Sequence, residues 1–370
     1  MPKSLLFDSH MKMRNNRFMA TIAGFIYTRI RPLFLKHSDI PKLTQGDKQS
    51  PVTAFICDEM TWQCYRLMNP SFYVTPQNWK QAFAKYKPRI LFCESTWAGI
   101  DQYKNCWRGQ IYKSNRLLYN NRRELFRILD YCKDNGIITV FWNKEDPFYF
   151  DDSHYNFIDT ALRFDHILTT SMECIPKYRN LGAKSVNLWT FGFPSEIFYP
   201  PENEYSKENV AVFAGSWFGN YPERCTDMEQ VFDMVLENGI ELRIYDRLMY
   251  SGNASNKFPD RFTQYICPPV QFEELGDIYR KVKYVINVNT VKDSQTMFAR
   301  RVFEAMACGC VVISNDSNGL KAVFGDKIWF LNEQFRHDLC GDVVKNNMDY
   351  VNLNHICKKR WQELNILLRN

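Results

Sequence analysis

Apolar and polar positions alternate along most of the chain in blocks that predict strands and helices in turn. Residues 52–57 and 88–93 are apolar runs of strand length. A helical pattern over 121–134 stops before Gly136, and the apolar run 137–142 (IITVFW) follows directly as a buried strand. Further strands are predicted at 165–169 and 185–189, with a helix at 175–180 between them. The first half is therefore expected to be an open, mostly parallel α/β layer.

Residues 194–208 combine prolines with charges and are predicted to link two domains. A second alternation follows, with strands at 209–214, 241–245, 284–288 and 311–314, helices at 228–237 and 272–282, and a helical pattern at 351–368. We expect an α/β fold of two Rossmann-like, doubly wound domains that face one another across a central cleft, where ligands of such sheets bind. The predicted parts are a basic arm (1–50), a first Rossmann-like domain (51–195), a second Rossmann-like domain (205–335) and a helical segment (336–370).

Residues 293–315 contain a polar loop, a helix starting near Phe298, a break at Gly309 and a β-branched strand. Arg300 and Arg301 open this helix, and Glu304 follows one turn later. Helix N-termini favour anions, so cations placed there indicate that a bound anion is expected. The alternative is that both arginines are ordinary solvated charges.

The charge of the chain is concentrated at one end. Among 370 residues, 45% are hydrophobic and 24% charged, which is typical of a globular protein. The net charge is +6, yet the first 50 residues hold nine Lys or Arg and three acids, and the remainder is balanced. A nucleic-acid groove across the body is therefore not supported. A basic arm that contacts an anionic surface is compatible with this distribution of charge.

Twelve cysteines are scattered without paired CxxC spacing or histidine partners, which favours reduced cytoplasmic thiols over zinc or disulfides. No apolar run reaches the roughly 18 residues of a spanning helix. Residues 18–27 are the nearest, flanked by Arg17 and Arg29. They are expected either to lie on a membrane, at its cytoplasmic side, or to pack on the protein itself.

Neither a GxG spacing nor a DxD occurs, so the dinucleotide fingerprint, the Walker A loop and the usual acidic metal clamp are missing. Backbone amides and arginines must then hold any phosphate, without a metal cofactor. The glycine of the loop Gly215-Ser216-Trp217 lets the backbone approach a ligand, and Arg224 lies nearby in the sequence. Arg300 and Arg301 supply two further guanidinium groups. Glu304 is placed to accept hydrogen bonds from two neighbouring hydroxyls, as on a ribose. This set predicts a nucleotide-diphosphate sugar as ligand.

The run TMFARRVFEAMACGCVVISN resembles the donor-binding segment of GT-B glycosyltransferases, most closely that of the CgeB-like (spore maturation protein) group of bacterial cell-wall, capsule and teichoic-acid clusters. GSWFGNYPER and FWNKEDP are similar to motifs of that group. The resemblance implies that Glu304 holds the ribose and that Arg300, Arg301 and Arg224 hold the diphosphate. Family 4 enzymes carry a glutamate eight positions earlier, where this chain has Thr296. The full predicted donor set is Gly215, Ser216, Trp217, Arg224, Asp246, Thr296, Met297, Arg300, Arg301 and Glu304.

The first domain is then expected to bind the acceptor. Glu145 and Asp146 follow a predicted strand, and either could deprotonate an acceptor hydroxyl; the alternative is an acidic capping turn before Pro147. Glu94 and Ser95 have the same position after another strand. His154 and His166 are candidate acceptor contacts. If the enzyme is retaining, the departing phosphate takes the proton and no carboxylate base is required.

The predicted function is a metal-independent glycosyltransferase that moves a sugar to a cell-surface glycan, a polyol phosphate such as teichoic acid, or a lipid-linked acceptor. One alternative is a non-catalytic protein that binds sugar nucleotides or glycans, or an assembly factor. A glycosyltransferase that modifies nucleic acid is a variant that the neutral body disfavours.

Overall fold

The computed structural model describes residues 17–26, 30, 37–202 and 207–369. The chain divides into two compact units, Met1–Trp189 and Thr190–Asn370. Each unit contains one six-stranded sheet in which all neighbouring strands are parallel. The prediction of two doubly wound α/β domains is therefore confirmed.

The first unit alternates strands and helices, as its pattern of apolar runs predicts. Its strands are β1 (Thr53–Ile56), β2 (Ser71–Tyr73), β3 (Ile90–Glu94), β4 (Ile138–Asn143), β5 (His166–Thr169) and β6 (Val186–Leu188). Its helices are α1 (Arg17–Phe25), α2 (Glu59–Tyr65), α3 (Trp79–Tyr86), α4 (Arg123–Asp134), α5 (Ile158–Ala161) and α6 (Cys174–Asn180). The strand order is β2-β1-β3-β4-β5-β6, so the direction of winding reverses between β1 and β3.

The second unit has the strand order of a Rossmann sheet. Its strands are β7 (Glu208–Gly215), β8 (Glu241–Asp246), β9 (Ile266–Cys267), β10 (Val282–Asn287), β11 (Val311–Ser314) and β12 (Trp329–Phe330). Its helices are α7 (Pro222–Glu237), α8 (Leu275–Lys281), α9 (Arg301–Ala307), α10 (Asn318–Phe324), α11 (Asp342–Asn354) and α12 (Cys357–Leu367). The order β12-β11-β10-β7-β8-β9 reverses between β7 and β10, which is where ligands of such sheets bind.

The cores follow from the apolar periodicity. Helix α4 buries one stripe that includes Leu125 and Ile128, and it ends before Gly136, whose φ of +63° suits glycine. Strand β4 is buried along nearly its whole length, because both faces of a parallel sheet are covered by helices. Helix α9 is buried from Val302 onward, which explains its apolar sequence.

Three boundaries differ from the sequence prediction. The 194–208 segment is not wholly a linker: the neighbouring Phe193 and, within it, Phe198 are fully buried in the core of the second unit. The C-terminal pattern is two helices instead of one, because Ile356 leaves helical geometry and bridges Phe193. Helix α9 begins at Arg301, three residues after the predicted start. Residues 203–206 and half of the basic arm lie outside the described residues.

Candidate functional site

Three arginines converge at the carboxyl end of β7, beside the switch point of the second sheet. Arg224, in the first turn of α7, donates from Nη1 to the Ser216 carbonyl at 3.2 Å. Arg247 directly follows β8 and donates from Nε to Ser216 Oγ at 3.2 Å. Arg301, at the start of α9, donates to the Ala214 carbonyl. Three distant parts of the sequence thus bring their guanidinium groups to residues 214–216.

This cluster holds an excess of positive charge. Burial, and then the charges of Arg301 and Arg247, lower the pKa of Arg224 to about 10. Burial and the charge of Arg301 also lower the pKa of Arg247. None of these three arginines forms an ion pair among the described residues. The arginines that do are Arg122, Arg127, Arg243, Arg261, Arg280, Arg300, Arg336 and Arg360. Arg224 and Arg301 are half-buried and Arg247 is exposed. Neighbouring cations of this kind form a site suited to a multivalent anion.

Glycine is required at the centre of this cluster. A methyl group at Gly215 would come within 2.7 Å of the Phe213 ring and 3.4 Å of the Arg301 guanidinium. The Arg301 guanidinium lies over the Phe213 ring, 5.2 Å from its centroid. Residue 215 therefore lets the backbone, the ring and the arginine approach closely; approach of this loop to a ligand stays a prediction.

The structure separates the two arginines that open α9. Arg300 pairs with the buried carboxylate of Glu304, with Nε to Oε1 at 2.5 Å, and its guanidinium lies 4.8 Å from the centroid of the Phe272 ring. Arg301 instead joins the arginine cluster. Because Glu304 lies on a buried helix and one of its oxygens is fixed by Arg300, its carboxylate is held in a defined orientation.

The remaining predicted donor residues lie at the same edge of the sheet. Asp246 ends β8; it is buried and accepts a hydrogen bond from the Leu248 N–H at 2.9 Å. Burial raises its pKa. Trp217 is mainly a core residue, packed on Phe258. The backbone N–H groups of Thr296 and Met297 both point to Ser294 Oγ, in a turn before α9.

The sequence analysis missed Arg247, although it selected the adjacent Asp246. The signal was available: a basic residue directly after a strand lies at the edge where a parallel sheet binds ligands. It also missed the three-arginine arrangement as a whole, because Arg224, Arg247 and Arg301 are separated by more than 20 residues in each case.

In the first unit, an ionic cluster occupies the corresponding switch point between β1 and β3. The Lys144 ammonium lies 3.0 Å from Glu94 Oε1 and 3.3 Å from Asp58 Oδ2. Burial opposes the charge of Lys144, but the carboxylates of Glu94 and Asp58 outweigh it and raise its pKa. Burial raises the pKa of Glu94, which is fully enclosed and also accepts from the Thr61 hydroxyl. Ser95 accepts from the Lys144 N–H.

Glu145 is a partly exposed carboxylate beside this cluster. Its Oε1 accepts a hydrogen bond from Trp97 Nε1 at 2.9 Å, and burial raises its pKa. The Trp97 ring packs edge-on against aromatic neighbours that include Tyr149 and Tyr155. Glu145 therefore remains accessible to a ligand while its proton affinity is increased.

Asp146, the other predicted base, is enclosed. Its oxygens accept hydrogen bonds from Asn143 Nδ2 at 2.7 Å, the Thr169 hydroxyl at 2.7 Å and the Tyr178 hydroxyl at 3.0 Å. Burial raises its pKa to about 7. A fully buried carboxylate with both oxygens occupied holds the end of β4 against β5 and α6; this geometry does not support contact with an acceptor.

The two candidate histidines also have structural surroundings. His154 contacts Asn115 Oδ1 through Nδ1 and Arg116 Nε through Nε2. His166 is the first residue of β5, at the edge opposite the carboxyl ends, and it contacts Ser185. The position of His166 is therefore wrong for a residue that contacts an acceptor at the ligand-binding edge. In the described part of the chain, no group of three His, Cys, Asp or Glu residues is arranged to hold a metal ion.

Comparison with known proteins identifies the fold. The chain has the fold of the GT-B glycosyltransferases. Residues 233–364, within the second unit, match a family described as glycosyl transferase-like. No curated protein sequence matches the chain.

Three solved structures illustrate the similarity in fold. HepE from Anabaena, solved in complex with UDP and glucose, is 10% identical, with a TM-score of 0.55 over 86% of this chain and 100% of that chain. Sucrose-phosphate synthase from Thermosynechococcus elongatus is 12% identical, with a TM-score of 0.52 over 80% and 76%. A glycosyltransferase from Rickettsia africae is 10% identical, with a TM-score of 0.51 over 93% of both chains.

Proposed function

We propose that the protein is a glycosyltransferase that uses a nucleotide-diphosphate sugar as donor, bound at the carboxyl edge of the second sheet. The observation that carries this proposal is the convergence of Arg224, Arg247 and Arg301 on residues 214–216, where none of the three forms an ion pair among the described residues. Two phosphates present several negatively charged oxygens to such forks. The fold and the glycosyl transferase-like segment agree with this class of ligand.

The arginines would act most strongly on the leaving group. When the bond between the sugar and the diphosphate breaks, negative charge grows on the diphosphate, and positioned guanidinium groups stabilise it. They would supply the charge that a metal supplies in other transferases, so we propose a metal-independent reaction. Glu304, fixed by Arg300, would accept hydrogen bonds from the ribose hydroxyls.

For the acceptor, we propose that Glu145 deprotonates the attacking hydroxyl in an inverting displacement. Its raised pKa and partial exposure support this role. In a retaining reaction the leaving phosphate would take the proton and Glu145 would only orient the acceptor. The resemblance of the sequence motifs to the CgeB-like group supports a bacterial cell-surface glycan, polyol-phosphate or lipid-linked acceptor, and a cytoplasmic location.

The test is Arg247→Ala, with Arg243→Ala as the matched control from the same strand. Arg243 is half-buried and pairs with Glu208 and Glu241, so it is already neutralised. Loss of one charge-assisted hydrogen bond of about 1.5–3 kcal/mol should weaken UDP binding about tenfold to a hundredfold in calorimetry. The control should bind as the wild type does.

The free protein gives a second readout. Removing one of three mutually repelling cations should leave the Tm of Arg247→Ala unchanged or raise it, while the increase in Tm on adding UDP should shrink. Wild-type protein that binds no nucleotide diphosphate, with or without sugar, would contradict the proposal. Transfer that is abolished by EDTA would contradict the metal-independent reaction.

A further inference from the structure

Exposed apolar side chains are concentrated near the start of the described chain. On the first helix and directly after it, Phe18 is 63%, Ile22 40%, Phe25 49% and Ile26 49% exposed, and Leu118, whose backbone meets this helix, is 59% exposed. We call these five residues the apolar patch. Ile30, Ile40 and Leu43 follow in sequence and are 38–40% exposed. Most other exposed large hydrophobic residues are scattered along the chain, as is usual for a protein surface.

The helix that carries the patch is fixed to the first unit by a different face. Thr21 Oγ1 accepts from the Leu118 N–H at 3.2 Å and donates to the Arg116 carbonyl at 3.5 Å. A methyl group at Gly24 would come within 2.5 Å of Leu117, so the helix and this segment lie in close contact. The docked face of α1 is therefore defined by Thr21 and Gly24.

The patch lies beside that docked face. Phe18, Ile22 and Phe25 are four and seven residues apart, which is the spacing of one helical stripe, and Ile26 follows directly. Phe25 contacts the Tyr119 ring edge-on, with centroids 6.0 Å apart, and so joins the two faces. Leu118 extends the exposed apolar surface onto the body of the first unit.

The charge of the surrounding sequence identifies an occupant. The first 50 residues hold nine Lys or Arg and three acids, whereas the rest of the chain is balanced. Apolar side chains that face outward from a segment with excess positive charge match the surface of an anionic bilayer, which offers both acyl chains and negative headgroups.

The size of the patch also favours a membrane over a second copy of the chain. Five side chains fall well short of the roughly 20–30 residues a side that a stable dimer interface uses. Helix α1 has nine residues and is about 14 Å long, against about 30 Å for the hydrocarbon core. No helix in the described residues is long and apolar enough to cross a membrane.

We propose that α1 and Leu118 form a docking surface by which the protein binds the face of an anionic lipid bilayer, with Phe18, Ile22, Phe25 and Ile26 inserted at the headgroup boundary. The helix is already held on the first unit, so binding needs no separate folding of this segment. The surface lies in a different unit from the arginine cluster and is independent of the donor proposal.

The test is flotation of the full chain with vesicles of phosphatidylcholine alone and of phosphatidylcholine mixed with phosphatidylglycerol. We expect binding to the mixed vesicles only, weakened by added salt because charge attraction is screened. The double variant Ile22→Glu, Ile26→Glu should bind at least about tenfold more weakly, because it removes apolar burial and adds negative charge. Leu353→Glu is the matched control: Leu353 is 72% exposed on α11 of the second unit, and its replacement should leave binding unchanged.

All three replaced positions are exposed, so each variant should fold. Circular dichroism and UDP binding on the same preparations check that it does. Three results would overturn the proposal. These are failure of the full chain to bind mixed vesicles, equal binding by the double variant and the wild type, and a concentration-dependent dimer that the double variant abolishes while vesicle binding is absent. If the wild type binds vesicles but no UDP, only the donor proposal is contradicted.

Discussion

Adjacent residues in this protein have different environments, and Glu145 and Asp146 show it most clearly. Both are acidic and both follow β4, so the sequence offered them equally as a base. The structure leaves Glu145 partly exposed beside Trp97, whereas Asp146 accepts three hydrogen bonds inside the first unit. The two residues differ in solvent accessibility, which the residue type alone does not determine. Arg300 and Arg301 are separated in the same way, one paired with Glu304 and the other in the arginine cluster.

The enclosed Asp146 should make stability depend on pH. Its folded-state pKa of about 7 lies above the value of about 3.9 of an unfolded aspartate, so the folded protein binds more protons between about pH 4 and 7. Stability should therefore fall as the pH rises through this window. Asp146→Asn should flatten that part of the Tm profile, measured by thermal unfolding.

Two variants separate this structural role from catalysis. Asp151→Asn, which changes an exposed carboxylate of the same segment, should keep the wild-type slope. Glu145→Gln should lower sugar transfer and, because the pKa of Glu145 is also raised, flatten the slope as well. Transfer by Asp146→Asn that falls as far as that of Glu145→Gln, with an unaltered Tm profile, would instead identify Asp146 as the base.

At the scale of elements, the position of a glycine decides how closely a helix can pack. Helix α8 carries Gly276 against the backbone of Ile197, and a methyl group there would lie 2.0 Å from the Ile197 carbonyl oxygen. The same segment is held by Arg280, which donates to that carbonyl at 2.9 Å. Residues 193–198 are thus part of the second unit's packing, which a pattern rich in proline and charge does not reveal.

Gly276→Ala should destabilise the second unit. The clash involves backbone, which cannot move aside cheaply, so we expect the free energy of unfolding to fall by about 2–3 kcal/mol. Calorimetric unfolding of the full chain measures this. Gly239→Ala is the control: Gly239 has a φ of +68° and no atom within 4 Å of the added methyl, so only about 1 kcal/mol of backbone strain is expected. Equal losses in the two variants would contradict close packing of α8.

At the scale of the whole molecule, the burial of the cysteines reflects how the two units are packed. All twelve are free thiols; ten are buried, Cys267 is partly exposed and Cys340 is exposed. Their scatter along the chain follows the two cores. Burial raises the pKa of several of these thiols, for example that of Cys106 to about 12, which suppresses the reactive thiolate.

The native protein should therefore expose one readily reactive thiol. A chromogenic disulfide reagent should label Cys340 quickly, Cys267 slowly and the other ten only after unfolding in denaturant. Cys340→Ser should remove the fast phase and nothing else. Several fast thiols in the native state would contradict the described packing.

Much of the fold was predictable because it depends on local patterns. Apolar runs of strand length, the helical stripe of α4 and the break at Gly309 are short-range features, and the strands at 138–143 and 311–314 appear within a residue of their predicted positions. The short strands β2, β9 and β12 were missed, since two or three residues carry no recognisable period. The absence of glycine and acidic fingerprints from the sequence also predicts arginines as the phosphate ligands.

The sequence by itself determined two parallel α/β sheets, the separation of charge along the chain and the types of residue available for a donor site. Only the tertiary structure decided which of those residues meet. Arg224, Arg247 and Arg301 come together because the strand order places the ends of β7 and β8 beside the start of α9. Strand order and side-chain burial are long-range properties, set by packing between distant segments, so no local pattern specifies them.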